Sequence, residues 1–442
     1  MTWAKPISRK TWWGVIALML AGLALRIFWI LRQPNDMMAA GEARRVAISL
    51  ATKGSFADPF YAGQGPTAHL TPTSPAIAGG VFALFGVDTP ASSFLLATWC
   101  LLQVFASFAL LLILFRRLGT PSLGLLLALA ALCLVPIYIG NETIIFRYWD
   151  AALAVNLSLA GLLLFLKLDG QGDPGVRWMV VAAFLAAATM FVTPTLGVGT
   201  YIAAGIYLLR NLAWPRIMLA VAIAAVALTA LITPWAIRNY FVMGAPILLR
   251  DNSGLQLAVA NYPAAVDPVD PGEAYEQRLR EVAPFFNQKL KTKFEAAGGE
   301  VAYNRKLAEE TKAWIRAHPS EFARLTARHF TEFYWPRAWG FRHTGTGRFA
   351  SERAIFLCVI STFALIGLGI GLWKRRRGYI FLLPTVLAPG LIYSIFQPLP
   401  RYTYIVYGLL VFLAADCVSR WLVEKRRHAS EKLPEAPRQA SA

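Results

Sequence analysis

The chain has 442 residues, 57% hydrophobic and only 15% charged, with a formal net charge of +18 and a mean hydropathy of +0.49. A soluble domain averages about 25% charged residues, so a soluble fold is excluded. Repeated apolar runs of about 17–22 residues define a helical membrane protein, because a bilayer core takes about 20 helical residues to cross. The excess Lys and Arg lies beside these runs, where it sets topology and meets membrane lipids; no nucleic-acid partner is expected.

Ten spans are predicted, at 12–31, 92–114, 121–140, 149–167, 177–193, 195–209, 216–236, 354–373, 379–396 and 403–422. The first follows Lys5, Arg9 and Lys10 and mimics a signal peptide. Its apolar run is longer than a signal core and further spans follow, so it is read as uncleaved. With the N-terminus inside, Arg116-Arg117, Lys167 with Arg177, Arg210 with Arg216, Lys374 to Arg377 and Lys425 to Arg427 all fall inside, as the positive-inside rule requires. The expected organisation is an N-terminal transmembrane module (1–236) with its first external loop (32–91), an external, mostly helical soluble segment (237–353), a C-terminal transmembrane module (354–423) and a disordered cytoplasmic tail (424–442). Both termini are then cytoplasmic, in a multi-pass inner-membrane protein.

In the first loop, Val46, Ala47, Ile48 and Leu50 suit a short surface helix with Glu42 in its first turn, where the helix dipole favours a carboxylate. Gly65-Pro66-Thr67-Ala68-His69-Leu70-Thr71-Pro72 should be extended. The apolar stretch Ser74–Phe85 is too short to cross and would break the charge alternation, so it is read as re-entrant or interfacial. Arg26 should snorkel to the interface. Asp150 opens a span after Tyr148-Trp149; it reads as a helix cap or as a ligand to an acceptor, and Glu142 is a weaker case. In the long segment, 276–294 and 302–317 have helical periodicity, and His318-Pro319-Ser320 marks a break and a restart. The four cysteines, Cys100, Cys133, Cys358 and Cys417, lie in apolar runs without CxxC spacing, which indicates neither a zinc site nor a disulfide framework. No GxxxxGK[ST] motif is present, so ATP coupling in cis is not expected.

Several of these residues carry a resemblance. A first span, an acidic residue, Ala47-x-x-Leu50-x-x-x-Gly54-x-Phe56, Pro66-Thr67-Ala68 with Pro72 and Pro75, and an apolar stretch ending in Phe85-Gly86 resemble bacterial members of the GT-C glycosyltransferase superfamily. The group resembled is glycosyltransferase family 39, the protein mannosyltransferase-like and aminoarabinose transferase-like proteins. Pro234-Trp235-Ala236-Ile237-Arg238-Asn239-Tyr240 is similar to its PWxIRNY signature. Gly254-Leu255-Gln256-Leu257 with Asn261 resembles its GGxxLxxGN run, and Pro400-Arg401-Tyr402-Thr403-Tyr404 its entry to the final span. Ala39 and Ala40 stand where many relatives have an Asp or Asp-Glu pair, and Ala43 where a Tyr often follows. His69-Leu70-Thr71-Pro72 replaces a frequent Lys-Pro-Pro-Leu.

The resemblance implies an all-α, GT-C-like polytopic enzyme that moves a sugar from a polyprenyl-phosphate carrier to an acceptor hydroxyl on a lipid, glycan or protein. Transfer would occur at the outer face, with inversion. Such chemistry needs a carboxylate to take the acceptor proton and cations to hold the departing phosphate, for which guanidinium is well shaped. Glu42 is the base candidate and Asp36 the alternative. Arg44, Arg45, His69, Asp150, Arg238 and Arg401 are candidates for substrate or phosphate binding. The implied carrier places its phosphate at Arg238, in a groove open to lipid. A divalent metal is an option, but one His without spaced partners defines no site for it. The alternatives are a transporter or flippase of envelope precursors and a non-catalytic envelope assembly protein.

Overall fold

The computed structural model describes residues 8–32, 41–285, 287–343 and 347–431. These are helical almost throughout, and their extended pairing is a single bridge between Ala57 and Pro66. The first span is α1 (Arg9–Arg32). The first loop holds α2 (Gly41–Lys53) and α3 (Thr73–Phe85). Next come α4 (Pro90–Arg117), α5 (Ser122–Leu134), the short α6 (Ile139–Thr143) with a 3-10 turn at Ile145–Arg147, α7 (Ala151–Leu168), α8 (Val176–Val192), α9 (Pro194–Asn211) and α10 (Trp214–Met243). The long loop carries α11 (Ser253–Ala260), α12 (Pro263–Val266), α13 (Pro271–Val282), α14 (Gln288–Ala296), α15 (Glu300–Ala317), α16 (Pro319–Tyr334) and α17 (Ala338–His343). The bundle closes with α18 (Ala350–Trp373), α19 (Tyr379–Tyr393) and α20 (Pro400–Glu431).

The chain is a multi-pass helical membrane protein. Each of the ten expected spans coincides with a helix, but six are long and apolar enough to cross a membrane, and a bent pair makes a seventh. The bent pair is the span expected at 121–140, which turns by 74° between α5 and the α6 region. Pro136 causes the break: it lacks an N–H and keeps Val135 out of the helical region. α8 and α19 have only 17 and 15 residues. α9 carries Gly, Thr and Tyr because it packs backbone to backbone on α19; a Cβ at Gly199 would lie 2.7 Å from the Pro384 carbonyl oxygen.

Three other expectations are corrected. The tail is helical as far as Glu431, because extending an existing helix adds a hydrogen bond per residue without a new nucleus. The run expected as one helix over 276–294 splits into α13 and α14 at Pro284, and Asn287 caps the second by accepting from the Leu290 N–H (2.9 Å). Arg26 does not snorkel. It is 2% exposed and forms a buried pair with Glu142 at 2.6 Å. Its remaining donors reach the carbonyls of Gly22, Leu132 and Cys133 at 2.9–3.1 Å. Two of those carbonyls end α5, so one guanidinium satisfies the groups that the helix break orphans. The restart at Pro319 is as expected.

The Lys and Arg clusters gather at one end of the bundle. Arg377 donates to the Asp169 carbonyl (2.8 Å), Arg210 lies 3.7 Å from the Asp169 carboxylate, and Arg420 donates to the Leu118 carbonyl (3.2 Å). The first loop and the long loop meet at the other end. Phe60 of the first loop packs into one apolar cluster with Leu255, Val259, Tyr275, Phe294 and Tyr303.

Candidate active site

Under the two loops lies a cavity of about 210 Å³. Glu42 and His69 of the first loop, Asp150 at the start of α7, Arg250 before α11, and Arg401 and Tyr402 of α20 all line it. Four residues named from the sequence in separate segments (Glu42, His69, Asp150 and Arg401) therefore face one space. Arg44, Arg45 and Arg238 are not in its wall, and Asp36 lies outside the described residues.

Each placement has a local cause. α2 presents Glu42 in its first turn, with the adjoining face (Ala43, Val46, Ala47) buried on α3. The Glu42 side chain is 23% exposed, and its Oε1 lies 3.8 Å from His69 Nε2. His69 is buried against the edge of Phe60 (4.8 Å between ring centroids). Burial holds its imidazole below the ordinary value, Glu42 opposing and Arg250 reinforcing the shift, so it stands neutral beside the carboxylate. Asp150 does not cap its own helix. Its carboxylate accepts from the Thr71 hydroxyl (2.7 Å) and the Ser74 N–H (2.8 Å), which ties the start of α3 to α7.

The three arginines outside the wall are engaged elsewhere. Arg44 pairs with Asp88, and Arg45 donates to the Pro59 carbonyl (3.2 Å). Arg238, from the Pro-Trp-Ala-Ile-Arg-Asn-Tyr motif, sits near the end of α10 over Trp235 (4.9 Å). It donates to the carbonyls of Thr67 (2.7 Å) and Phe56 (2.8 Å), and so latches the first loop.

Glu300, at the start of α15, grips the same loop from the other side. It is 5% exposed and accepts from the Thr67 hydroxyl (2.5 Å) and the Ala68 N–H (2.8 Å). The Asp251 N–H then donates to the Ala68 carbonyl (2.8 Å). The dipeptide just before His69 is thus held by α10, α15 and the loop segment that carries Arg250. α11 itself lies on the backbone of Asn304, an approach that Gly254 permits because it lacks a Cβ.

Sequence reasoning missed Arg250, Asn141, Gln256 and Glu300. Arg250 had one local signal, the polar run Arg250-Asp251-Asn252 directly after apolar Ile247-Leu248-Leu249. Glu300 had none, being one of many charges on a soluble helix. Several buried polar atoms in the wall have no partner among the described residues: His69 Nδ1, Asn141 Nδ2, Thr195 Oγ1 and Arg401 Nε. Unsatisfied polar atoms at one cavity point to a polar occupant. Among the described residues no three His, Cys, Asp or Glu converge as a metal site.

The clasp yields a pH prediction. Burial pushes the Glu300 carboxyl from 4.5 up to about 7, although the Thr67 and Ala68 bonds pull it down; burial likewise pushes Asp251 up to about 6. A carboxyl raised in the fold adds stability that is full below its unfolded value and lost as pH rises through its folded value. The loop-bearing end should therefore gain stability as pH falls from 8 to 5, by at most about 3 kcal/mol from Glu300. Glu300→Gln should flatten the dependence of melting temperature on pH in detergent. An unchanged slope in that variant would remove Glu300 as its source.

A polytopic helical bundle with a polar cavity beneath an interleaved pair of loops is the class the geometry defines. No protein-family model matches the sequence, and no curated protein matches it. Solved structures do match. The oligosaccharyltransferase AglB from Archaeoglobus fulgidus, in complex with an inhibitory peptide and a dolichol-phosphate, superposes with a TM-score of 0.55 at 14% identity, over 97% of this chain and 52% of that chain. An Archaeoglobus fulgidus oligosaccharyltransferase in the apo form gives 0.54 at 13% identity, over 98% and 53%. ArnT from Cupriavidus metallidurans bound to undecaprenyl phosphate reaches only 0.33 at 15% identity, over 90% and 77%, too loose a fit to carry weight. The chain therefore shares the fold of the oligosaccharyltransferase over its matched part, and it spans about half the length of that protein.

Proposed function

We propose that the protein is an inverting membrane glycosyltransferase that moves a sugar from a polyprenyl-phosphate carrier to an acceptor hydroxyl. The observation that carries this reading is the shared wall: Glu42, a second carboxylate (Asp150) already bonded to Thr71 and Ser74, and two guanidiniums, Arg250 and Arg401, border a single cavity. Glu42 takes the proton as the acceptor oxygen bonds to C1 of the sugar. The C1–O bond to phosphate breaks, and its electron pair leaves with the carrier phosphate. Arg250 and Arg401 meet that charge, and preorganised cations in a water-poor site are worth more than in water. Arg238 and Glu300 hold the loop that carries His69. The fold shared with a protein whose complex contains dolichol-phosphate supports the donor class. The gathering of Lys and Arg at the end away from the cavity supports an outward-facing site with cytoplasmic termini in an inner membrane.

The test is release of polyprenyl phosphate from carriers labelled in the sugar, by the purified protein in detergent with hydroxyl acceptors. A transporter shows no turnover there and needs sealed vesicles. Arg250→Gln and Arg401→Gln should each lower transfer about 10²-fold or more and weaken carrier binding. Turnover that survives both substitutions together would remove the phosphate role.

A further inference from the structure

A second cavity, about 290 Å³, lies between α7, α8, α9 and α10, in the half of the bundle away from Glu42. Its wall is apolar, with Phe165, Trp178, Met179, Ala183 and Leu228 among its residues. Two hydroxyls interrupt that wall. Those of Tyr201 and Tyr207 are buried, and neither has a hydrogen-bond partner among the described residues. Tyr207 is only 3% exposed. In a cavity walled by hydrocarbon, an unpaired hydroxyl favours an occupant that can accept from it.

The rim adds charge. Lys167 and Arg177 lie over the ring of Trp178, a wall residue, at 4.3 and 5.6 Å. Arg210 lies 3.7 Å from Asp169, and Arg216 lies 2.5 Å from Asp173. Four cations thus meet two carboxylates, which leaves the rim positive. An apolar slot, an acceptor-seeking hydroxyl within it and a cationic rim match the three parts of one molecule: acyl chain, ester carbonyl and phosphate.

We propose that this cavity binds an anionic glycerophospholipid. One acyl chain fills the slot, an ester carbonyl accepts from the Tyr207 hydroxyl, and the phosphate rests against Lys167 and Arg177. A polyprenyl phosphate does not fit the same description, since it has no ester carbonyl for Tyr207. The proposal is independent of the transferase reading.

Gly205 offers a clean test. A Cβ there meets nothing within 4 Å, so a side chain enters the cavity without a backbone clash. The full-length protein is delipidated in detergent, supplied with phosphatidylglycerol or phosphatidylethanolamine, and examined by native mass spectrometry. Wild type should retain one phosphatidylglycerol in preference to phosphatidylethanolamine, by about fivefold for each engaged cation. Gly205→Leu should lose that lipid while melting as wild type does. Lys167→Gln with Arg177→Gln should keep a lipid but lose the preference for the anionic one. Should Gly205→Leu fail to fold, Tyr207→Phe removes only the hydroxyl and should lower retention severalfold. The proposal is overturned by equal retention of the two lipids, by undiminished retention in the cavity variants, or by polyprenyl phosphate displacing phosphatidylglycerol.

Discussion

Glu42→Gln is expected to slow sugar transfer about 10²–10⁴-fold, the usual range for loss of a general base, while carrier binding stays close to wild type. Gln keeps the shape of the side chain and its place in the first turn of α2, so the packing of Ala43, Val46 and Ala47 on α3 should survive. What it lacks is the capacity to take a proton. The separation of kcat from carrier affinity is the informative readout, because a merely structural role would lower both. Asp36→Asn tests the alternative base candidate and should be mild. Near-wild-type turnover in Glu42→Gln, or a collapse in Asp36→Asn, would move the base away from Glu42.

The second large effect concerns stability. Arg26→Met should destabilise the fold by about 3–5 kcal/mol, the cost of leaving one partner of a buried ion pair unmatched. All five N–H donors of Arg26 are engaged: two on Glu142 and three on the carbonyls of Gly22, Leu132 and Cys133. Removing the guanidinium strands a carboxylate in the bundle and re-exposes the broken end of α5. Arg26→Lys should recover only part of the loss, since an ammonium has three donors and no fork. Arg26→Met with Glu142→Met should melt above Arg26→Met alone but below wild type, because the α5 carbonyls stay unpaired. Because Asn141 lines the cavity beside Glu142, the single variant should also lose activity in the fraction that folds. A wild-type melting temperature for Arg26→Met, measured on size-exclusion-pure protein, would show the pair to be dispensable.

Particular elements show how much the sequence disclosed. The ten helices stood where apolar runs predicted them, and α2 carries Glu42 in its first turn, as the pattern of Val46, Ala47 and Leu50 indicated. The re-entrant reading of Ser74–Phe85 became α3, a helix of 13 residues, about 20 Å long at 1.5 Å per residue and too short to cross. Six of these helices, and a seventh as a bent pair, are long and apolar enough to cross a membrane; α8 and α19 are shorter, and α9 is less apolar because it packs closely on α19. Arg26 was misjudged because its partner lies 116 residues away, and nothing near it in the chain announces a carboxylate.

Composition, apolar period and the alternation of Lys and Arg clusters determined the helical membrane class and the two-ended charge distribution. Each depends on neighbours within one or two helical turns, or on counts that need no folding. Where each arginine sits, and which oxygens it meets, was decided by the tertiary structure alone. Arg238 stands in the most recognisable motif of the chain, yet it latches two backbone carbonyls, while Arg250, outside any motif, faces the cavity. A guanidinium acts on whatever oxygen comes within about 3 Å of it, and the two carbonyls that Arg238 meets are brought from 171 and 182 residues away.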